Sequence, residues 1–375
     1  MTTTKKDPVL VVLQLTGGND CLNTVIPYAD PLYYDNRPSV GIPQDQVLPI
    51  DGRFGFNPAM RPIKDLYDQG KVAVINGIGY PHPNRSHFRS MDIWHTCEPD
   101  KVGTEGWLGR VIRDLDPRAE NVLTGVNFGR GLPRALALPG VPVASVAVLE
   151  TYGVLTGITG EEERTEALDV FARMYAPVVG SGPVMDYLGQ TGLDALKGAD
   201  ILKTAPAKYQ STVEYANSAI GRNLQGIAKV LLADLGTRIF YTQHGGFDTH
   251  ASQGPTHPKL WREVSQAIAD FYADLAEHNT TDNVLIFLFT EFGRRVRDNG
   301  SGTDHGSGGV AFAIGDAVKG GMYGEYPSLQ PQHLLEGDLH FSTDFRGVYG
   351  TVVEKWLGLD AAPIVSGRFE QPAFV

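Results

Sequence analysis

Cysteine is nearly absent: only Cys21 and Cys97 occur in 375 residues. At most one disulfide can form, a chain of this length does not need one for stability, and the pair fixes no redox compartment. Basic clusters are missing too. The formal net charge is -11 and no Lys/Arg cluster exceeds a pair, which leaves no electrostatic footprint for nucleic acid or for an anionic membrane surface. No apolar run approaches the ~18 residues of a membrane-spanning helix. The one near the N-terminus, Val9 to Leu15, is also too short for a signal-peptide core with its cleavage site. The chain as written is therefore expected in the cytoplasm. A G-x-S-x-G elbow is absent as well, which removes the support for a metal-free serine hydrolase.

What is present argues for a compact α/β protein. Hydrophobic residues make up 42% of the chain and charged residues 20%, a balance that suits a packed core rather than disorder or a coiled coil. The segments Val9–Leu15, Val72–Gly77 and Val284–Thr290 are apolar almost throughout, the pattern of strands covered on both faces. Shorter strands are expected at Val122–Phe128, Val141–Val148, Thr237–Thr242 and Val310–Ile314. Helices are expected at Pro58–Gln69, Phe88–Thr96, Gly160–Ala176, Ala219–Leu235 and Pro258–His278. The last carries Leu260, Val264, Ile268, Phe271 and Leu275 on one stripe at helical spacing. Strands alternating with helices imply a three-layer α/β/α sandwich with a mostly parallel central sheet. Residues 1–375 are expected to form a single domain, with a mainly helical insertion around 150–222.

In an open parallel sheet, ligands bind outside the carboxyl ends of the strands. Polar residues at those ends are Asn19 and Asp20, Ser86 and His87, Asp248 and His250, and Glu291, joined by Asp304 and His305 just before the final strand. Gathered at one edge, carboxylates ~4 Å apart would repel one another by roughly 1 to 4 kcal/mol per pair. A mixed Asp, Glu and His set offsets that repulsion most simply by holding a divalent metal, with Zn or Mn the first expectation, Mg or Ca the alternatives, and one or two ions bound. The expected ligands are Asp20, Asp248, His250, Glu291 and His305. Ser86, in a loop that enters a helix, is the candidate nucleophile, with a metal-bound water as its rival. His87 and Arg85 beside it complete the catalytic set, and Arg85, Arg294 and Arg295 can hold substrate oxygens by paired hydrogen bonds.

Each residue also has an ordinary structural use. Asp20 can close an Asx turn after Gly17-Gly18. Ser86 can be a helix N-cap. Glu291, at the rim of the core, needs a partner that Arg294 or Arg295 could supply. His250 alone would be an unremarkable loop residue, and His305 can simply close a turn before a glycine run.

The segments Leu15-Thr-Gly-Gly-Asn-Asp20, Asn84-Arg-Ser-His-Phe88, Gly245-Gly-Phe-Asp-Thr-His250, Thr290-Glu-Phe-Gly-Arg294 and Thr303-Asp-His-Gly306, taken in order, resemble the family numbered 1501 among domains of unknown function. That family is grouped with the alkaline phosphatase and sulfatase superfamily. The resemblance implies an alkaline-phosphatase-like sandwich in which Asp20 matches the first metal ligand, Ser86 the nucleophile region, Asp248 and His250 the central pair, and His305 the late histidine. Glu291-Phe292 stands where many members carry an Asp-His pair, so the second metal site is altered, holds a harder ion, or is absent. Members with a twin-arginine leader are exported, and this chain is expected outside the cytoplasm if such a leader has been removed. The implied function is hydrolysis of phosphate or sulfate esters, with a small anionic ester as substrate. The alternative is a non-catalytic binding or accessory protein with a degraded metal site.

Overall fold

A computed structural model describes residues 6–152, 161–174 and 183–375. Strand β1 (Val9–Leu15) is buried at every position. Successive strand side chains point to opposite faces, so Val9, Val11, Leu13 and Leu15 enter one core while Leu10 and Val12 enter another. A strand buried at every position requires cover on both sides, and helices supply it. Against the first face lie α1 (Arg61–Asp68), through Ile63 and Leu66. The second face is covered by α2 (His87–Thr96), through Ile93 and Trp94, and by α3 (Trp107–Leu115).

The mid-chain helices α4 (Glu161–Met174) and α5 (Pro183–Leu202) follow. The expected helix at Gly160–Ala176 and the mainly helical insertion around 150–222 fall partly on residues outside the described ones. Within the described part, residues 209–218 are not helical. Helix α6 (Ala219–Leu232) sends Ile220, Leu224 and Ile227 into the first core. Helix α7 (Gln253–Glu277) adds Trp261, Val264, Ile268 and Phe271 to it, each such burial contributing about 1.5–3 kcal/mol. Helix α7 begins five residues before the proline expected to open it. Pro258 lies inside it, and the earlier start is anchored by Gln253, whose buried amide bonds Asp20. Helix α8 (Phe345–Thr351) packs on the second face, where Trp94 stacks on Phe345 with ring centroids 4.5 Å apart. Neither α3 nor α8 is anticipated from the sequence. No helix among the described residues is long and apolar enough to cross a membrane.

The remaining strands of the nine-stranded sheet are β2 (Val72–Gly79), β3 (Gly125–Phe128), β4 (Ala144–Val146), β5 (Ile239–His244), β6 (Val284–Phe289), β7 (Gly309–Ile314), β8 (Gly321–Tyr323) and β9 (Thr343–Asp344). Their order is β8-β2-β7-β6-β1-β5-β3-β4, with β9 also on β2. The central register aligns Leu13 of β1 with Thr242 of β5 and with Leu288 of β6. All pairings are parallel except those of β7, which runs against both β2 and β6. The architecture is the expected α/β/α sandwich with a mostly parallel sheet.

The reversed strand matters for the site. Residues that follow β1, β2, β5 and β6 leave the sheet at its carboxyl edge. Residues before a parallel strand would lie at the opposite edge. Because β7 is antiparallel, Asp304 and His305 reach the same edge as Asp248 and Glu291.

Candidate metal centre

The loop after β1 can approach its neighbours only because it lacks side chains. Gly17 has φ +120°, and a Cβ there would lie 2.4 Å from the Asp248 backbone nitrogen. Gly18 has φ +75°, and its Cβ would lie 2.4 Å from the Phe292 ring. Both conformations are ones that only glycine adopts at little cost.

Arg294 ties the converging loops together. Fully buried, it donates to the carbonyls of Gly17, Gly18, Phe247 and Thr303 and to Asp248 Oδ1 at 2.7 Å. Asp248 is half exposed, and its Oδ1 also lies 3.0 Å from His305 Nε2 and 3.1 Å from His250 Nε2. Burial raises its pKa, but the hydrogen bond and charge of Arg294 outweigh that and hold the carboxyl at about 2. Its other oxygen, Oδ2, is 3.5 Å from His87 Nε2.

Three imidazoles thus present Nε2 to one carboxylate. Each has Nδ1 on an acceptor: His87 on Glu291 Oε1 at 2.8 Å, His250 on Asp304 Oδ1 at 2.8 Å, and His305 on the Arg85 carbonyl at 2.8 Å. Those acceptors assign the proton of the neutral ring to Nδ1 and leave a lone pair on every Nε2. The Nε2 atoms of His250 and His305 are 3.0 Å apart, so two lone pairs face each other. His87 Nε2 is buried and has no hydrogen-bond partner among the described residues. Only an extra proton or a cation makes such an arrangement attractive.

The same arrangement is what metal-ligating histidines adopt, one nitrogen on the ion and the other N–H on a carboxylate or carbonyl. One ligand atom each from His87, Asp248 and His305 falls within a 4.8 Å span, and His250 Nε2 adjoins two of them. The residues present therefore fit a divalent cation, with imidazole nitrogen favouring Zn among the common ions.

Glu291 is fully buried at the end of β6, and its partners are not the arginines suggested by sequence. It accepts from the Gly17 N–H at 2.9 Å, from Thr290 Oγ1 at 3.1 Å and from His87. Its hydrogen bond, the largest influence, raises the His87 pKa against burial. Phe292 packs on His87 and His305 at centroid distances of 4.8 Å and forms an apolar wall beside the cluster.

Asp20 has partners other than the cluster's imidazoles. Both its oxygens are taken by Arg37, at 2.5 and 3.0 Å, and Gln253 donates to Oδ2 at 2.5 Å. Asp20 and Arg37 are both fully buried. Burial alone would raise the Asp20 pKa, yet the guanidinium leaves it below the usual carboxylate value.

The loop before α2 is pinned by Tyr80, whose hydroxyl accepts from the Asn84 N–H at 3.0 Å and pairs with Ser90 Oγ at 2.9 Å. Ser86 occupies the N-cap position of α2 but makes no side-chain cap hydrogen bond and is exposed. Arg85 turns to Asp338, with Nε 2.8 Å from Oδ2. Sequence reasoning left Arg37, Gln253 and Asp338 out of the site. An arginine 17 residues beyond Asp20 and an acid 33 beyond His305 carry no local signal, because the fold alone brings them together.

Sheet and cluster together define an α/β/α protein with a histidine and carboxylate centre at the carboxyl edge of its strands. The sequence profile of the family described as "Protein of unknown function (DUF1501)" matches residues 190–344, and it bears out the resemblance drawn from the motifs. That range holds Asp248, His250, Glu291 and His305, while the segments around Asp20 and Ser86 lie outside it. No curated protein sequence matches this chain. Among solved structures, a 2-O GAG sulfatase is 10% identical with a TM-score of 0.41, covering 98% of this chain and 76% of its own. A protein in the alkaline phosphatase superfamily from Vibrio parahaemolyticus is 9% identical with a TM-score of 0.40, covering 97% and 70%. A sulfatase from Pseudoalteromonas sp. is 13% identical with a TM-score of 0.40, covering 96% and 68%.

Proposed function

We propose that this protein is a metal-dependent hydrolase of phosphate or sulfate esters. The observation that carries the reading is the set of three imidazoles, each with Nδ1 on an acceptor and Nε2 turned to Asp248. His87, His250, His305 and Asp248 are the ligands of one divalent ion. Bound there, the ion supplies Lewis acidity toward an ester oxygen.

The protein's own groups do the rest. Glu291, Asp304 and the Arg85 carbonyl hold the three rings in one tautomer. Arg294 keeps Asp248 ionised and oriented. The exposed Ser86 hydroxyl, free of any capping bond, is the candidate nucleophile, at a helix start where N–H groups lacking intrahelical partners favour an anion. Asp20 is not a ligand in this reading, because Arg37 supplies its positive partner. The centre therefore holds one ion rather than two.

A non-catalytic accessory protein is the second reading, and the Asp20–Arg37 pair favours it to the extent that a two-ion centre is lost. The test is a panel of aryl phosphate monoesters, diesters and sulfates, assayed after chelation and after reloading with Zn or Mn, with Asp248→Ala as control. Turnover that returns with metal and is absent from the variant supports hydrolysis. Metal binding without turnover of any ester supports the accessory role.

A further inference from the structure

Beside the cluster, two arginines converge on one buried acid. Arg85 Nε and Nη2 lie 2.8 and 2.7 Å from Asp338 Oδ2. Arg295 Nε lies 3.8 Å from Asp338 Oδ1, and its Nη1 donates to the Glu336 carbonyl at 3.2 Å. Asp338 is 1% exposed, whereas the arginine side chains are 36% and 37% exposed. A two-residue turn holds the acid in place, since Leu335 and Asp338 exchange both backbone hydrogen bonds.

The donor count is unbalanced. A guanidinium carries five N–H groups in a fixed fork. Arg85 uses two of them on Asp338 and Arg295 uses one on a carbonyl, so most of the donors on both forks have no acceptor among the described residues. Asp338 Oδ1 is itself buried without a hydrogen bond, so the acid orients the pair without saturating it. The other nearby carboxylate, Glu336, is 80% exposed and 3.7 Å from Arg85 Nη2, a loose contact that an incoming anion can replace. Displacing Glu336 would leave two cations around one buried anion, which favours an incoming anion in its place.

Both arginines are joined to the centre through the backbone. The Arg85 carbonyl accepts a hydrogen bond from His305 Nδ1, the Arg295 N–H donates to the Asp304 carbonyl, and Arg295 follows Arg294, which holds Asp248. We propose that Arg85 and Arg295, oriented by Asp338, form an anion subsite adjoining the histidine centre. Resting on the hydrolase reading, this names the substrate class as esters that carry a second anionic group. Paired donors of this geometry suit sulfate, phosphate or carboxylate.

The subsite is tested apart from hydrolysis, by calorimetric titration of the chelated protein with inorganic sulfate. Wild type should bind sulfate, and Arg295→Gln should bind at least tenfold more weakly, with Arg295→Lys in between because it keeps the charge and loses the fork. Among the described residues the Arg295 side chain makes one hydrogen bond, to a carbonyl, so its variant keeps the test open if Arg85→Gln fails to fold. On the reloaded enzyme, the preference for a 4-nitrophenyl ester bearing a second sulfonate over the unsubstituted ester should fall at least tenfold in Arg295→Gln, through KM rather than kcat. No sulfate binding, or equal binding by wild type and Arg295→Gln, overturns the subsite. If sulfate binds as expected and no ester turns over, the hydrolase reading fails and the subsite stands.

Discussion

Replacing Arg37 by methionine tests whether Asp20 belongs to the scaffold or to the centre. The substitution keeps much of the side chain's volume and removes the guanidinium that contacts Asp20 Oδ2 at 2.5 Å and Oδ1 at 3.0 Å. Asp20 is wholly buried and would keep only the Gln253 amide as donor. Breaking a buried pair from one side costs about 3–5 kcal/mol, because an uncompensated charge remains. Arg37 also donates to the carbonyls of Val296 and Arg295, which places the expected loss toward the upper end. Against a total stability of about 5–15 kcal/mol, the effect is a large shift of the urea midpoint at pH 7, followed by tryptophan fluorescence. The double variant Asp20→Asn with Arg37→Met should be less destabilised than Arg37→Met alone, since the stranded charge is gone. A loss under about 1 kcal/mol would put the pair among exposed ones and refute the reasoning. So would full rescue of Arg37→Met by added Zn, which would make Asp20 a metal ligand.

Glu291→Gln keeps the shape but weakens the acceptor on His87 Nδ1, and metal affinity read by competition with a chelating dye should fall about 10–100-fold; unchanged affinity would show that Glu291 does not tune the ring. Ser86→Ala should leave the metal content intact while ester turnover falls by at least ~100-fold, whereas a rate equal to wild type would assign the attack to water. Acid stability follows from two buried imidazoles. Burial lowers His95 to about 3 and His257 to about 4, from an ordinary value of 6.5. A depressed histidine contributes stability that is complete above the unfolded pKa and lost as pH falls toward the folded one, so the window is pH 6.5 down to 4 and then 3. At pH 5 each costs about 2 kcal/mol relative to pH 7 or above, so the urea midpoint should fall steeply between those values, and a flat profile would contradict the burial of neutral rings.

The core was legible because it is simple. Val9–Leu15, apolar but for Gln14, and Val284–Phe289, apolar at every position, admit little but a strand covered on both faces. The stripe on Gln253–Glu277 gave its helix directly. The helices at Trp107–Leu115 and Phe345–Thr351 were illegible, since elements of nine and seven residues show too little helical period of their own and owe their form to packing rather than propensity. The site was legible in parts. Asp248, His250 and His305 stand out by spacing, but the direction of β7, which brings His305 to them, depends on strand pairing across hundreds of residues. His87 and Glu291 were both singled out, yet their joint arrangement, acid behind ring, is a tertiary fact. Arg37 is the clearest case: nothing local distinguishes it, yet it occupies both oxygens of Asp20.

Quantification of metal in protein purified without added ions, by inductively coupled plasma mass spectrometry, bears most directly on the centre. One divalent ion per chain in wild type and in Asp20→Asn, with none retained by Asp248→Ala, is the predicted result. Absence of metal from wild type even after incubation with Zn and Mn, or two ions per chain with one lost in Asp20→Asn, would contradict it.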